Sequence, residues 1–165
     1  FTLSDYLPGR VFENLIIFSK GKMVISKVYE NLSYYLGSNA ITGAGSTPSS
    51  AKSCGKKKSQ DISKETIKII KKISKFNSTI PNGVYHSSVR YKIKNKPNVT
   101  EINIGRFPST NALFNLFGRF NIAEIYFKIL LKEMPLLKNT IDHDAGKKVI
   151  IIRSLDQKPF IFKKK

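Results

Sequence analysis

The densest group of residues able to do chemistry is Asp142-His143-Asp144, two carboxylates flanking an imidazole. A metal-dependent nuclease could use such groups to activate water beside a basic substrate channel. Three adjacent positions face one ion only in an irregular loop, however. With Gly146 close behind, a polar turn between a helix and a strand accounts for them. His86 has no cysteine or acid at ligand spacing. The run Gly43-Ala44-Gly45-Ser46 lacks both the lysine and the following helix of a phosphate-cradling loop. A single cysteine, Cys54, can make no internal disulfide, and a structural zinc site needs more ligands. The Asn-x-Ser/Thr triplets at Asn31, Asn77 and Asn98 matter only in a secreted chain. The residues therefore predict no enzyme, no cofactor and no metal.

Cations carry the stronger signal. Twenty-nine Lys and Arg oppose eleven Asp and Glu, a net charge of +18, more than solubility asks of a small domain. A polyanion relieves such self-repulsion; nucleic acid is the commonest, and an anionic membrane surface the next. Abundant Ile, Lys, Asn, Phe and Tyr are what AT-rich codons favour, as in an organelle genome or an AT-rich eukaryote, so the placement of the lysines weighs more than their number. That placement is ordered in SKETIKIIKKISK, residues 63 to 75. On a helix, Ile62, Thr66, Ile69, Ile70, Ile73 and Phe76 form one stripe, and Lys64, Lys68, Lys71, Lys72 and Lys75 form the opposite one.

The elements that must carry these groups follow from periodicity. RVFENLIIFS (10 to 19) and KMVISKVYENLSYYL (22 to 36) place apolar residues at helical spacing, broken at Gly21 and capped at Gly37. Residues 37 to 60 are small and polar and predict a flexible basic insert ending in Lys56-Lys57-Lys58. The lysine-striped helix runs from about Asp61 to Phe76. The period then falls to two: Val89, Tyr91 and Ile93 alternate with Arg90, Lys92 and Lys94, and after a turn at Lys96-Pro97-Asn98, Ile102 and Ile104 complete a hairpin over 84 to 104. NALFNLFGRF (111 to 120) reads as a short helix, and Asn121 with Glu124 as a capping box opening a helix that stops at Pro135. In the basic tail, 145 to 165, KKVIIIR and KPFIF are apolar runs of strand type. The expected fold is one domain over 1 to 165, mostly α with a protruding β-hairpin (α+β). With 41% hydrophobic residues it can bury a core, and no apolar run approaches the roughly 20 residues of a membrane span. The chain starts at Phe1 rather than Met, which leaves room for a preceding initiator or targeting segment.

This order of elements resembles the bacterial and organellar small-subunit ribosomal protein seven family. The resemblance rests on Asn14, Gly21-Lys22, Val28-Tyr29 and Leu32 in the first helix pair, on the hairpin, and on Asn111-Ala112-Leu113 after Ile102-Asn103-Ile104. A second, shorter resemblance joins VTEINIG and DQKPFIFKKK to large-subunit ribosomal protein five. The first implies a structural constituent of an organellar, mitochondrial ribosome, bound to ribosomal RNA in the small-subunit head beside neighbouring ribosomal proteins, with transfer RNA near the hairpin. The residues expected to contact RNA are Lys56, Lys57, Lys58, Lys64, Lys68, Lys71, Lys72, Lys75, Arg90, Lys92, Lys94, Lys96, Arg106, Arg119, Lys147, Lys148, Lys163, Lys164 and Lys165. Its rivals are the nuclease built on Asp142 to Asp144 and a membrane-surface protein.

Overall fold

Two long strands, not two helices, open the chain: β1 (Arg10–Ser19) and β2 (Lys22–Tyr34) pair antiparallel. They turn at Lys20 and Gly21, whose φ values of 48° and 79° match the twist of a two-residue hairpin. A side chain at Gly21 would also meet Ile80, with a Cβ only 2.8 Å from its Cγ2. The structure is a computed structural model describing residues 7, 9–34, 48–92, 96–105, 107–108, 115–133, 137–144, 148–153 and 158–163. After β2 come β3 (Pro48–Ser53), α1 (Lys56–Phe76), β4 (Gly83–Tyr91), β5 (Asn98–Ile104), α2 (Ile122–Leu130), β6 (Thr140–Asp142), β7 (Val149–Ile152) and β8 (Phe160–Lys163). One sheet holds all eight strands in the order β5-β4-β1-β2-β3-β7-β8, with β6 parallel to β2.

The expectation of a mostly α fold is overturned by this sheet. The physical reason is burial on both faces. In β1, Phe12, Ile16 and Phe18 face α1, whereas Leu15 and Ile17 join the core on the far side, with Ile25, Tyr29, Val84 and Ile151. A strand covered twice loses its polar alternation and reads as a continuous apolar run, which a helical template also fits.

The hairpin over 84 to 104 exists as β4 and β5, but β4 also pairs with β1, so it is part of the sheet and does not protrude. Within the stretch read as a flexible insert, 48–53 form β3 and Lys56, Lys57 and Lys58 make the first turn of α1. Residues 37 to 47 lie outside the described residues. The helix read over 111 to 120 is described only from 115; residues 115 and 116 are helical and 117 to 120 bend away. Asn121 does cap α2, its Oδ1 accepting from the Glu124 N–H at 3.2 Å, although the helix stops at Leu130 rather than at Pro135. The two apolar runs of the tail are the strands β7 and β8.

Helix α1 lies on one sheet face through Ser59, Ile62, Ser63, Thr66, Ile70 and Ser74. Three of these six are serines, small enough to bring the helix close. Ser63 shares a 2.8 Å hydrogen bond with Ser26, which donates to Asn14 at 2.8 Å, and Thr66 meets Ser87 at 3.4 Å. Full burial of Ile62 and Ile70 contributes about 1.5–3 kcal/mol each. Ile73 and Phe76, assigned from the sequence to the buried stripe, are instead 39% and 88% exposed: the buried face runs through Ile70 and Ser74, which turns Ile73 aside, and Phe76 is the last residue of the helix.

Candidate functional site

Alternation along the strands places Glu13, Asn31, His86 and Ser88 on the sheet face away from α1, all at one end of an otherwise apolar surface. Register adds two more: Asn103 lies opposite His86 and Glu101 opposite Ser88. Four neighbouring strands thus contribute one or two polar side chains each to a single patch.

Glu13 is its hub. Its carboxylate accepts from Ser88 Oγ at 2.9 Å and Asn31 Nδ2 at 3.0 Å, and lies 3.0 Å from His86 Nε2. Asn31 also donates to the Tyr34 hydroxyl at 3.2 Å. Burial pushes the Tyr34 phenol up, partly offset by that hydrogen bond and reinforced by the Glu13 charge. Asn31 is itself buried, and its Oδ1 has no hydrogen-bond partner among the described residues. At the edge of the patch, Asn103 Nδ2 donates to Glu101 Oε1 at 2.7 Å, and Glu101 is exposed. Glu13 is held by two hydrogen-bond donors, Ser88 and Asn31, with the His86 ring beside it; Glu101 is the carboxylate that an incoming ligand can reach.

The donor set suits a hard cation. Glu101 and Asn103 offer oxygens rather than thiolates, the ligand type of magnesium. Among the described residues, no group of three or more His, Cys, Asp or Glu is arranged to hold a metal.

A second polar feature braces the same face. Lys27 and Asp142 form an ion pair of 3.1 Å with side chains only 2% and 0% exposed. Asp142 also accepts the Arg119 N–H at 3.0 Å and the Phe120 N–H at 3.1 Å, and Lys27 donates to the Phe120 carbonyl. Burial lowers the Lys27 pKa, and the Asp142 charge opposes that shift. The turn is tight enough that a Cβ on Gly118, at φ 71°, would lie 2.3 Å from the Asp142 carboxylate. This pair fixes the turn before α2 and with it the cover over the apolar part of the sheet. It also dismantles the nuclease reading: Asp142 is spent on Lys27, while Asp144 accepts from Ser53 at 3.2 Å.

The predicted RNA contacts do not form one surface. Lys64, Lys68, Lys71, Lys72 and Lys75 point outward from α1, whereas Arg90 lies on the opposite sheet face and donates to the Gly9 carbonyl at 3.3 Å. Lys58 pairs with Glu30 at 3.6 Å, Lys57 with Asp61 at 3.4 Å and Lys96 with Glu65 at 3.0 Å. Lys56, Lys57, Lys58 and Lys148 line one cavity and Lys58 and Lys92 another, whereas Arg119 and Lys163 are exposed elsewhere. Lys94, Arg106, Lys147, Lys164 and Lys165 lie outside the described residues.

No family model and no curated protein matches the sequence. The fold does have likenesses. An L-amino acid ligase from Bacillus licheniformis superposes with a TM-score of 0.58 at 13% identity, over 93% of this chain and 37% of the ligase. An N5-carboxyaminoimidazole synthetase from Staphylococcus aureus gives 0.52 at 12%, over 89% of this chain and 35% of the synthetase. The fold is shared with these two enzymes. This chain spans little more than a third of the length of either enzyme.

These likenesses overturn both ribosomal resemblances, and with them ribosomal RNA, transfer RNA and ribosomal proteins as partners and the organellar ribosome as the assembly. They likewise remove the basis for expecting a chain with no part in catalysis, since both similar structures are enzymes. Sequence reasoning missed the patch although one signal was present. Glu101-Ile102-Asn103 has the period of two that puts two polar groups on one strand face, but only the isoleucines were weighed.

Proposed function

We propose that this chain is part of an ATP-dependent ligase and that the polar patch on β1, β2, β4 and β5 is where nucleotide phosphates meet the protein. One observation carries the reading: Glu13, Asn31, His86, Ser88, Glu101 and Asn103 converge on neighbouring strands of a fold shared with ATP-grasp ligases. In phosphoryl transfer the protein mainly positions groups and offsets charge on the phosphate oxygens. Glu101 and Asn103 are the residues that would hold a divalent cation, which supplies that charge neutralisation when bound. Glu13 does not bind ligand in this reading. It orients Ser88 and Asn31 from beneath, with the His86 ring beside it.

The test is calorimetric titration of ATP into the chain with and without magnesium. ATP binds only with the metal, and Glu101→Gln weakens that binding by about 10-fold or more, the worth of one charged contact. A wild-type chain that binds no nucleotide, or a Glu101→Gln chain that binds as well as wild type, overturns the proposal.

A further inference from the structure

The lysine face of α1 is not used by that chemistry. Lys57, Lys64, Lys68, Lys71, Lys72 and Lys75 lie opposite the buried stripe, on one side of a 21-residue helix. Lys57 pairs with Asp61, but among the described residues no carboxylate pairs with the other five. Lys64, Lys68 and Lys72 follow one another at i,i+4, as do Lys71 and Lys75, so each cation repels the next. The arrangement costs the isolated chain stability and returns nothing to its fold.

Beside this row, at the β1–β2 turn, lies a cavity of about 600 Å³. Lys20, Lys22, Lys71 and Lys138 line it together with Met23, Val24 and Leu137, and no carboxylate does so among the described residues. Lys71 belongs to both features. At the same end of α1, Phe76 is 88% and Ile80 71% exposed, with Ile73 half-exposed next to them. Cations rimming exposed apolar side chains fit a partner that is anionic outside and hydrocarbon inside.

We propose that the outward face of α1 and the adjoining cavity dock this chain on an anionic phospholipid bilayer, with the lysines on the headgroups and Phe76 and Ile80 entering the acyl boundary. Two observations favour a bilayer over a nucleic acid. The row is all lysine, without the planar guanidinium that phosphate-backbone recognition favours. Two of the three apolar residues at its end are isoleucines, which cannot stack on bases but gain by leaving water. The helix is no membrane span, since no described helix is long and apolar enough to cross. Docking on this side leaves the Glu13–Glu101 patch, on the other sheet face, open to substrate.

Co-sedimentation of the full chain with lipid vesicles tests this. The chain pellets with phosphatidylcholine vesicles containing about 30% phosphatidylserine, not with phosphatidylcholine alone, and salt weakens the binding. The triple variant Lys68→Glu, Lys71→Glu, Lys72→Glu keeps its circular dichroism spectrum and loses at least ~100-fold in affinity, and the milder triple glutamine variant loses ~10–100-fold. Phe76→Ser loses about 3- to 10-fold and keeps the salt dependence. The proposal is overturned if the wild type ignores phosphatidylserine vesicles at low salt, or if either triple variant binds them like wild type. It is also overturned if single-stranded RNA engages these lysines while the vesicles do not.

Discussion

The two faces of the sheet handle charge in opposite ways. On the side away from α1, strand register and a turn set the partners of the central charges: Glu13 has three polar neighbours, and Asp142 has Lys27 and two backbone N–H groups. On the α1 side, five lysines share a helix face, and among the described residues no acid pairs with them. Register fixes polar atoms to within hydrogen-bond distance, as a reacting ligand requires; helical period only gathers charge, which suffices for a broad anionic surface. One fold therefore offers a geometric site and an electrostatic one, separated by the thickness of the sheet.

Breaking the geometric side has the largest effect. Asp142→Ala leaves Lys27 buried without a counter-charge and strips two N–H groups of their acceptor. It should cost about 3–5 kcal/mol in urea denaturation, enough to unfold much of the chain. If the loss stays below about 1 kcal/mol, the pair is not the brace that positions the α2 side.

An intermediate effect comes from Glu30, the one acid buried on the α1 side among the described residues. Burial raises its pKa, but Arg10, Lys52 and Lys58 more than offset this and hold it below the ordinary carboxylate range. A carboxyl depressed on folding stabilises above its unfolded pKa and stops doing so as pH falls through its folded one. Glu30→Gln should therefore cost about 1–2 kcal/mol at neutral pH, discounted for the exposed Arg10, and that gap should close below about pH 4. A gap that persists unchanged at pH 3 would mean that shape rather than charge holds Glu30.

The smallest effect carries the opposite sign. Lys68→Glu replaces two repulsive i,i+4 neighbours, Lys64 and Lys72, with attractive ones, and should raise stability by about 0.2–0.5 kcal/mol per pair at low salt. Thermal melts at low and high ionic strength check it. A loss of stability would show that the lysine row already has partners within the chain.

What could be read from the sequence divides along the same line. The α1 lysine face was legible because one side of that helix is solvated, so its period of 3.6 survives in the residue types. The β4–β5 hairpin and the Asn121 cap were legible for similar local reasons. Strands β1 and β2 were not, because Leu15-Ile16-Ile17-Phe18 sends alternate side chains into two different cores and both demand apolar residues. Once they were read as helices, Glu13 and Asn31 could not be seen to share a face with His86, 73 positions after Glu13 in the sequence. The patch is a product of strand register, and register is what a single sequence encodes most weakly when both faces are covered.

Cys54 sits where β3 hands over to α1, 3% exposed, and burial, helped by the Glu30 charge, pushes its thiol up to about 12. Near neutral pH almost none of it is thiolate, so alkylating reagents meet a silent sulfur while the helix stays on the sheet. The residue is in effect an internal alarm: the rate at which it becomes labelled counts how often α1 lifts away, with no probe added to the molecule.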